Sequence, residues 1–406
     1  MALPKIKINY LNGLLGAVSD TEDGLLGIVS GATAVQDGFA LETPYLLTRF
    51  EDLTELGVTS ANNAGLYKVV EDFYKEAEEG TKVVVYGVNS ATSKDALCNK
   101  TTGKVKDLIV SQNGKLKAVV VCNNGGTGTQ TAGLAPTLYT AVPIAQDLAE
   151  WATDTLYAPL FIIFDAQGYD ASKALTDMTS GENNRVCIML GDTVVSSGTS
   201  AVGLLAGRIA AISVQRNVGR VKDGALVPSV MYIGNKKIEE ANTVITEANT
   251  VITDANTVIT DAYDKGYIIP RKYVGRAGYF FADDQMACDP TDDYAHIALR
   301  RTIDKAYRIA YDTLLDYMLD EIEVNKDGTM QIAVIKSWQS AVEGAINRQM
   351  TANGELSGGD EGGCECYIDP SQNVLSSSKV HLVLKVRPYG YARQIEVDLG
   401  FLVTNS

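Results

Sequence analysis

The side chains that most often carry chemistry are few in this sequence, and they are not grouped. The two histidines, His296 and His381, lie in different elements without a motif around either, and His381 falls on the polar side of a predicted strand. Cys364 and Cys366 flank one glutamate, a spacing that could bind a soft metal ion. No second pair of Cys or His residues follows at the spacing typical of zinc sites, so the sequence predicts no metal and no cofactor.

One loop and one carboxylate resemble parts of a nucleotide-binding enzyme. Residues 123–128 read NNGGTG and follow a predicted strand, as a phosphate-binding loop would. They lack the Lys-Ser/Thr pair of a P-loop and the third glycine of the dinucleotide fingerprint, so a flexible loop is favoured. Asp165 closes an apolar strand where α/β enzymes often keep a functional acid, but no base, nucleophile or metal ligand accompanies it in the sequence. The sequence therefore predicts no catalytic constellation.

Composition indicates a large acidic protein with ample apolar content. Its 406 residues carry a formal net charge of −15 at pH 7, which argues against nonspecific nucleic-acid binding. No apolar run approaches a membrane span, because Arg208 interrupts the best candidate, residues 201–212. The six cysteines are scattered, and Cys98, Cys122 and Cys187 have apolar neighbours. Since the start also lacks signal-peptide features, we expect a cytoplasmic origin and reduced, buried thiols.

Strand and helix patterns alternate through the first half of the chain. Ser60 to Gly80 predicts an amphipathic helix, and Thr81 to Val88 predicts a buried strand. Further apolar runs predict strands at 117–122, 160–165 and 186–190, separated by candidate helices at about 93–112, 142–156, 170–180 and 200–214. This order predicts an α/β domain over residues 81–235 with a mostly parallel sheet. The preceding Gly-rich segment, Asn12 to Gly31, predicts a flexible join into short β elements.

The most regular stretch is a seven-residue repeat between Glu240 and Ala262. It reads EANTVIT, EANTVIT and DANTVIT, and its apolar positions predict a single stripe on a helix over residues 236–266. Two interpretations stay open. The favoured one is a surface helix lengthened by duplication. The other is coiled-coil pairing, for which the repeat is short and Thr and Asn are weak helix formers.

The region after the repeat combines short strands with two long helices. Tyr267 to Ala282 predicts strands joined by a Gly-rich turn. Asp289-Pro290 should open a long helix, because Asp caps free N–H groups and Pro suits the first turn. A second helix is predicted over about Gln331 to Met350, and a Gly-rich acidic loop at 354–365 then leads to the last strands.

The first of these helices carries a basic stretch in an otherwise acidic chain, formed by Arg300, Arg301, Lys305 and Arg308. Two interpretations have similar weight. The stretch is either a solvated face, or a surface that docks acidic groups of an adjacent subunit. Candidates for those groups are Glu76, Glu78, Glu79, Asp360 and Glu361.

The end of the chain predicts two strands that need partners. Lys379 to Arg387 has the period-2 pattern of a strand with one buried face, and after a break at 388–390 a second alternating run continues to Phe401. A two-stranded hairpin is marginal in water, and a terminal strand with free N–H and C=O groups is a template for another chain. We therefore expect the second strand to be offered, at least partly, to a neighbouring copy.

Six short motifs in the chain occur in an order that is found in one family. They lie at 24–31, 53–57, 63–88, 200–208, 263–271 and 386–395. In that order they resemble the sheath proteins of contractile phage tails and related contractile injection systems. Tyr391 stands where that family usually has a second proline, and the heptad repeat departs from the family pattern.

The resemblance implies a non-enzymatic subunit that stacks helically around a tail tube. Strands from neighbouring subunits would link the copies through Ile6, Ile8, Ile395, Val397, Leu399 and Phe401. The mesh would hold while the assembly shortens and drives the tube through a target envelope. Implied partners are further copies and the tail tube, baseplate and terminator proteins, without membrane or direct nucleic-acid contact. The implied location is a virion tail assembled in the host bacterial cytoplasm.

Together these patterns predict an α/β (α+β) fold, with a mostly parallel sheet flanked by helices and a C-terminal α+β region whose terminal strands are exchanged between subunits. The expected divisions are an N-terminal arm at 1–20, an α/β domain at 21–235, the repeat helix at 236–266, an α+β domain at 267–390 and a C-terminal arm at 391–406. The alternatives are a nucleotide-binding α/β enzyme that uses Asp165 and residues 123–128, or another self-assembling shell protein.

Overall fold

The computed structural model describes residues 22–125, 132–238 and 254–399. The chain forms two compact units, which divide between Tyr311 and Asp312. The short strands after the repeat lie in the first unit, and the first long helix, Ile297–Leu315, runs across the division. The domain boundaries expected from the sequence stay a prediction. The predicted strand at Ile6 and Ile8 and most of the heptad repeat lie outside the described residues.

A six-stranded sheet is the centre of the first unit. The strands of this unit are β1 (Leu26–Ala32), β2 (Pro44–Leu47), β3 (Val83–Asn89), β4 (Ala118–Cys122), β5 (Phe161–Asp165), β6 (Glu182–Asn183), β7 (Val186–Met189), β8 (Tyr232–Ile233), β9 (Lys236–Lys237), β10 (Pro270–Arg271), β11 (Phe280–Phe281) and β12 (Ala287–Cys288). The sheet order is β2-β3-β1-β4-β5-β7. All neighbours pair in parallel except β2, which runs antiparallel to β3 at one edge.

Helices flank this sheet, which confirms the mostly parallel α/β architecture. They are α1 (Phe50–Glu55), α2 (Ala64–Glu76), α3 (Lys94–Leu97), α4 (Lys104–Ser111), α5 (Pro136–Leu156), α6 (Val202–Ala211), α7 (Asp254–Asp264) and α8 (Ile297–Leu315). α2 packs against α6, and α3 packs against α5. Strands β3, β4, β5 and β7 are apolar and almost wholly buried, because helices cover them.

The described part of the Gly-rich segment at 12–31 belongs to the central sheet and is not a flexible join, while residues 12–21 lie outside the described residues. Its second half forms β1, whose seven residues are all buried between β3 and β4. Gly31 is required there by close contact, since a Cβ at that position would lie 2.2 Å from the carbonyl oxygen of Asn123. The glycines therefore allow tight packing at the centre of the sheet.

The predicted helix at 170–180 is wrong, because aspartate side chains compete for the backbone N–H groups. The carboxylate of Asp170 accepts from the amide and hydroxyl of Ser172. Asp177 does the same with Thr179. Each of these local bonds forms a turn instead of a helix.

The start of α8 differs from the prediction for the same reason. Asp289 binds the amide and hydroxyl of Thr291 in a local turn and does not open a helix. The cap is supplied by Asp284, whose Oδ2 accepts from the amide of Ala298 at 2.9 Å. The helix therefore begins at Ile297.

The candidate helix at 93–112 is two short helices, α3 and α4. The side chain of Asn99 accepts from the amides of Thr101 and Thr102 and ends the first helical segment. Gly103 follows in close contact, because a Cβ there would lie 2.2 Å from the carbonyl oxygen of Leu97.

The second unit contains a helix, a hairpin and a short turn of helix. Its elements are α9 (Ile332–Ile346), β13 (Cys364–Ile368), α10 (Val374–Ser377) and β14 (Leu382–Val386). β14 confirms the strand predicted over 379–387, but its antiparallel partner β13 lies partly in the segment predicted as a loop. Cysteines occupy the inward positions at the start of β13, and this obscures the apolar alternation. Met330, Ile335, Ile368 and Val374 form a small core.

The backbones of α2 and α6 touch at two glycines. A Cβ at Gly203 would lie 2.2 Å from the carbonyl oxygen of Val69, and one at Gly207 would lie 2.2 Å from that of Phe73. Any side chain at these positions must push the two helices apart.

We expect Gly207→Ala to destabilise the protein by about 1–3 kcal/mol, because the added methyl overpacks a backbone contact. The matched control is Gly344→Ala in α9, where the nearest atom to the new Cβ, Arg348 Nη1, is 3.6 Å away. Helix propensity should make that control neutral or stabilising by up to about 1 kcal/mol. Thermal melting measures both. An unchanged melting temperature for Gly207→Ala would contradict the close packing of α2 and α6.

Candidate functional site: an assembly interface

The last described residues form an extended segment with an exposed apolar side. Residues 390–399 form neither helix nor strand, and Ile395, Val397 and Leu399 are 79%, 75% and 96% exposed. Glu396 and Asp398 alternate with them. Phe401, which continues the pattern, lies outside the described residues. The predicted strand at the end of the chain therefore has the required alternation but makes no ladder within the described part of its own subunit.

The hairpin β13–β14 is the nearest sheet in the sequence and is itself incomplete. Leu382, Leu384 and Val386 are half-buried on one face of β14. On the other face Tyr367 pairs across the strands with Val383, and both are exposed. In the described part of the chain the two strands pair only with each other, so no further strand covers either outer edge, although the Glu343 side chain takes the outer amide of Cys366 in β13.

Exposed apolar side chains are concentrated in the smaller unit. Eleven of the twenty large apolar residues that are exposed among the described residues lie after Tyr311. They include Leu315, Met318 and Leu319 around the end of α8 and Ile332 at the start of α9. Such a density of apolar surface in a small unit is typical of protein interfaces.

The basic residues Arg300 and Arg301 of α8 are buried inside the first unit, with exposed fractions of 6% and 4%. Arg300 Nη2 lies 3.1 Å from Asp304 Oδ1. Arg301 Nη2 donates to the carbonyl oxygen of Ile212 at 3.0 Å. Burial lowers the pKa of Arg300, and Asp304 opposes that shift. The solvated-face interpretation is therefore wrong for these two residues.

Lys305 and Arg308 are also engaged within the first unit. Lys305 Nζ lies 2.6 Å from Asp23 Oδ2, and Arg308 donates to the carbonyl oxygen of Pro159 at 3.1 Å. Among the acidic candidates for docking, Glu76 is already paired with Arg208 at 2.7 Å. Docking between subunits through the basic stretch stays a prediction. Much of the positive charge of the stretch is already paired with Asp304 and Asp23 of the same chain.

Asp165 is a buried partner of a lysine and is not a free acid. Lys94 Nζ lies 2.7 Å from Asp165 Oδ1, and both side chains are 1% exposed. Asp165 Oδ2 also accepts from the backbone amide of Asn123 at 3.1 Å, and Lys94 donates to Gln167. The carboxylate is neutralised and shielded from solvent, so it is unsuited to act as a base or metal ligand. Gly126 to Gly128 of the candidate phosphate loop lie outside the described residues.

A polar cluster that was not predicted from the sequence joins His296 to two aspartates. His296 Nδ1 lies 3.0 Å from Asp284 Oδ1 and 3.9 Å from Asp283 Oδ1, close enough for the three groups to share a cation. Asn217 Nδ2 donates to the same oxygens at 2.7 and 2.5 Å, so a hydrogen-bond donor already faces them. Burial raises the pKa of Asp284, and His296 opposes that shift. The arrangement is a hydrogen-bonded junction at the start of α8.

Cys364 and Cys366 contact α9 and do not form a thiolate pair. Glu343 Oε1 accepts from the amide of Cys366 at 2.7 Å, and the Cys364 thiol contacts the Glu343 carbonyl oxygen. Burial and the Glu343 charge raise the pKa of both thiols to about 11. All six cysteines of the chain are free. His381 is exposed, and its backbone groups bind the side chain of Gln372.

No helix among residues 22–125, 132–238 and 254–399 has the length and apolar character needed to cross a membrane.

The fold of this chain is also found in solved structures of contractile injection systems. A chain of the anti-feeding prophage baseplate superposes with a TM-score of 0.61 at 14% identity, covering 99% of this chain and 100% of its own. A chain of the sheath complex of the extracellular contractile injection system PVC, in its contracted state, gives 0.57 at 13% identity over 98% of both chains. The protein thus has the fold of contractile injection system components.

The sequence also matches one family over almost its whole length. Residues 3–285 match the DUF2586 N-terminal domain and residues 293–406 match the DUF2586 C-terminal domain. The chain belongs to the DUF2586 family. Among curated proteins, no sequence matches it.

We expect Lys94→Met to destabilise the protein by about 3–5 kcal/mol, because it leaves the buried Asp165 carboxylate without its counter-charge. The double variant Lys94→Met/Asp165→Asn removes both charges and should recover a large part of the loss. Urea denaturation of the two variants and the wild type measures the difference. Equal losses in the single and double variants would show that the pair is not coupled.

Proposed function

We propose that this chain is a repeating sheath subunit of a contractile injection system or contractile tail, polymerising helically around an inner tube. Its role is structural and uses no catalytic site. Further copies of the chain, a tube protein, and baseplate and terminator proteins are the partners that follow from such a role. The whole-chain likeness to a sheath-complex subunit supports this proposal at the level of fold.

The observation that carries the proposal is the exposed apolar side of residues 391–399. Burying Ile395, Val397 and Leu399 on another subunit would contribute about 1.5–3 kcal/mol for each side chain. The backbone of an extended segment can at the same time form a ladder with an open sheet edge, as in strand addition. Apolar residues alternate with Glu396 and Asp398, so one face would be buried and the other would stay in water.

The acceptor that we propose is the β13–β14 hairpin of an adjacent subunit. Two strands are too few for a stable sheet by themselves, and added strands would cover its open edges. The exposed pair Tyr367 and Val383 offers apolar surface beside the incoming segment. Exchange of this kind links every subunit to its neighbours by main-chain bonds, which can persist while the compact units rotate during contraction.

Trimming the chain after Tyr391 should abolish long tubes and leave monomers or short rings, because the linking strand is removed. The finer test is Val397→Asp/Leu399→Asp, which keeps the segment length but places two carboxylates on its apolar side. We expect the same loss of polymer, with the melting temperature nearly unchanged, because these side chains are exposed in the subunit. Negative-stain electron microscopy and sedimentation measure assembly.

The matched control is Glu396→Gln, which lies on the other face of the same segment and should assemble normally. Long tubes from the truncated chain, or from the double aspartate variant, would show that the C-terminal segment is not the linker. Sheets or closed shells from the wild-type protein would favour a different kind of self-assembling protein.

A further inference from the structure

Asp23 lies where the N-terminal segment meets the first described strand. It belongs to the short 3-10 turn Glu22–Gly24, and β1 begins at Leu26. Residues 1–21 precede it in the sequence. Asp23 therefore lies at the start of the described chain.

The Asp23 carboxylate is held by the basic side of α8. Lys305 Nζ lies 2.6 Å from Oδ2 and Arg308 Nη2 lies 3.6 Å from Oδ1, and all three side chains are less than one-fifth exposed. Burial by itself raises the pKa of Asp23, but the hydrogen bond and charge of Lys305, with the charges of Arg308 and Arg301, lower it overall. Charge-assisted bonds that are shielded in this way are stronger than surface ion pairs.

β1, the strand that follows Asp23, forms the longest ladder of the sheet. β1 pairs with β3 over seven residues and with β4 over five, so it has a neighbour on each side. The contacts of Asp23 with Lys305 and Arg308 connect the start of β1 to α8, a helix that lies outside that sheet. The chain is thereby fixed on two elements within a few residues.

We propose that Asp23 is a positioning residue for the N-terminal arm: its ion pairs with Lys305 and Arg308 clamp the root of the arm to α8. The inference rests on the proposed function, because the clamp matters when the arm is engaged by a neighbouring subunit. Tension along the arm is then borne by the ion pairs and by β1. The basic stretch of α8 was predicted to dock a neighbouring subunit. Two of its four residues, Lys305 and Arg308, instead bind the Asp23 carboxylate of their own chain.

Hydrogen exchange on the unassembled full-length subunit tests the clamp directly. Asp23→Asn should increase the exchange rate of the amides of residues 24–26 by about tenfold, the order expected for loss of a charge-assisted pair that is partly buried. Asp23→Glu should restore most of the protection, and Asp37→Asn, an exposed acid outside the clamp, should leave it unchanged. Lys305→Gln should increase the exchange rate of these amides much less in the Asp23→Asn variant than in the wild type.

The difference between the wild type and Asp23→Asn should also disappear in acid. Because the folded pKa of Asp23 is lowered, its contribution is present at neutral pH and is lost as the pH falls through that folded value. Exchange rates for Asp23→Asn that equal those of the Asp37→Asn control at neutral pH would overturn the clamp.

Tubes test the mechanical role separately. Asp23→Asn tubes should form but break under shear into fragments several-fold shorter than wild-type tubes, with Asp37→Asn tubes unaffected. Equal fragment lengths would overturn the mechanical role even if exchange confirms the ion pairs. Failure of the wild-type protein to form any tube would overturn the proposed function and the mechanical role together, whereas the exchange result would still decide whether the clamp exists.

Discussion

The structure depends on one constraint at the C-terminal end of the described chain. An extended segment with an apolar side is unfavourable in water unless it pairs with a sheet that buries that side. Ile395, Val397 and Leu399 are almost fully exposed in the subunit, although their alternation is that of a half-buried strand. Exposed apolar area and unpaired backbone groups are both unfavourable in water, and the proposed association with another copy would remove both together. The proposed sheath role rests on this exposed apolar segment more than on any single contact.

The first unit differs from this exposed segment because its interior is closely packed. Its central strands are buried on both faces, and the glycines of α6 bring that helix into backbone contact with α2. Several charges in its interior are paired, as in the ion pair of Lys94 with Asp165. A closely packed unit can rotate as one body, as the proposed contraction of a sheath would require.

Charge is distributed in a way that the net value of −15 does not reveal. The basic residues of α8 face inward or toward Asp23, and Arg208 is paired with Glu76. Several basic groups are thus matched by acids of their own chain. In the proposed assembly, contacts between subunits rely on apolar surface and main-chain bonds, or on local patches that match the excess charge.

The sequence by itself determined four strands of the central sheet, β3, β4, β5 and β7, and the alternating pattern of the last residues, because side-chain periodicity reports directly which faces are buried. It did not predict β1 or β2 as strands of that sheet. It also indicated that no set of catalytic residues is grouped. It could not locate the turns of Asp170 and Asp289, where side chains capture backbone N–H groups that a helix would use. Only the tertiary structure decided that Lys94 neutralises Asp165, that Asp284 caps α8 and that Lys305 holds Asp23. Partners in these contacts are far apart in the sequence, and periodicity carries no information about which distant groups the fold brings together.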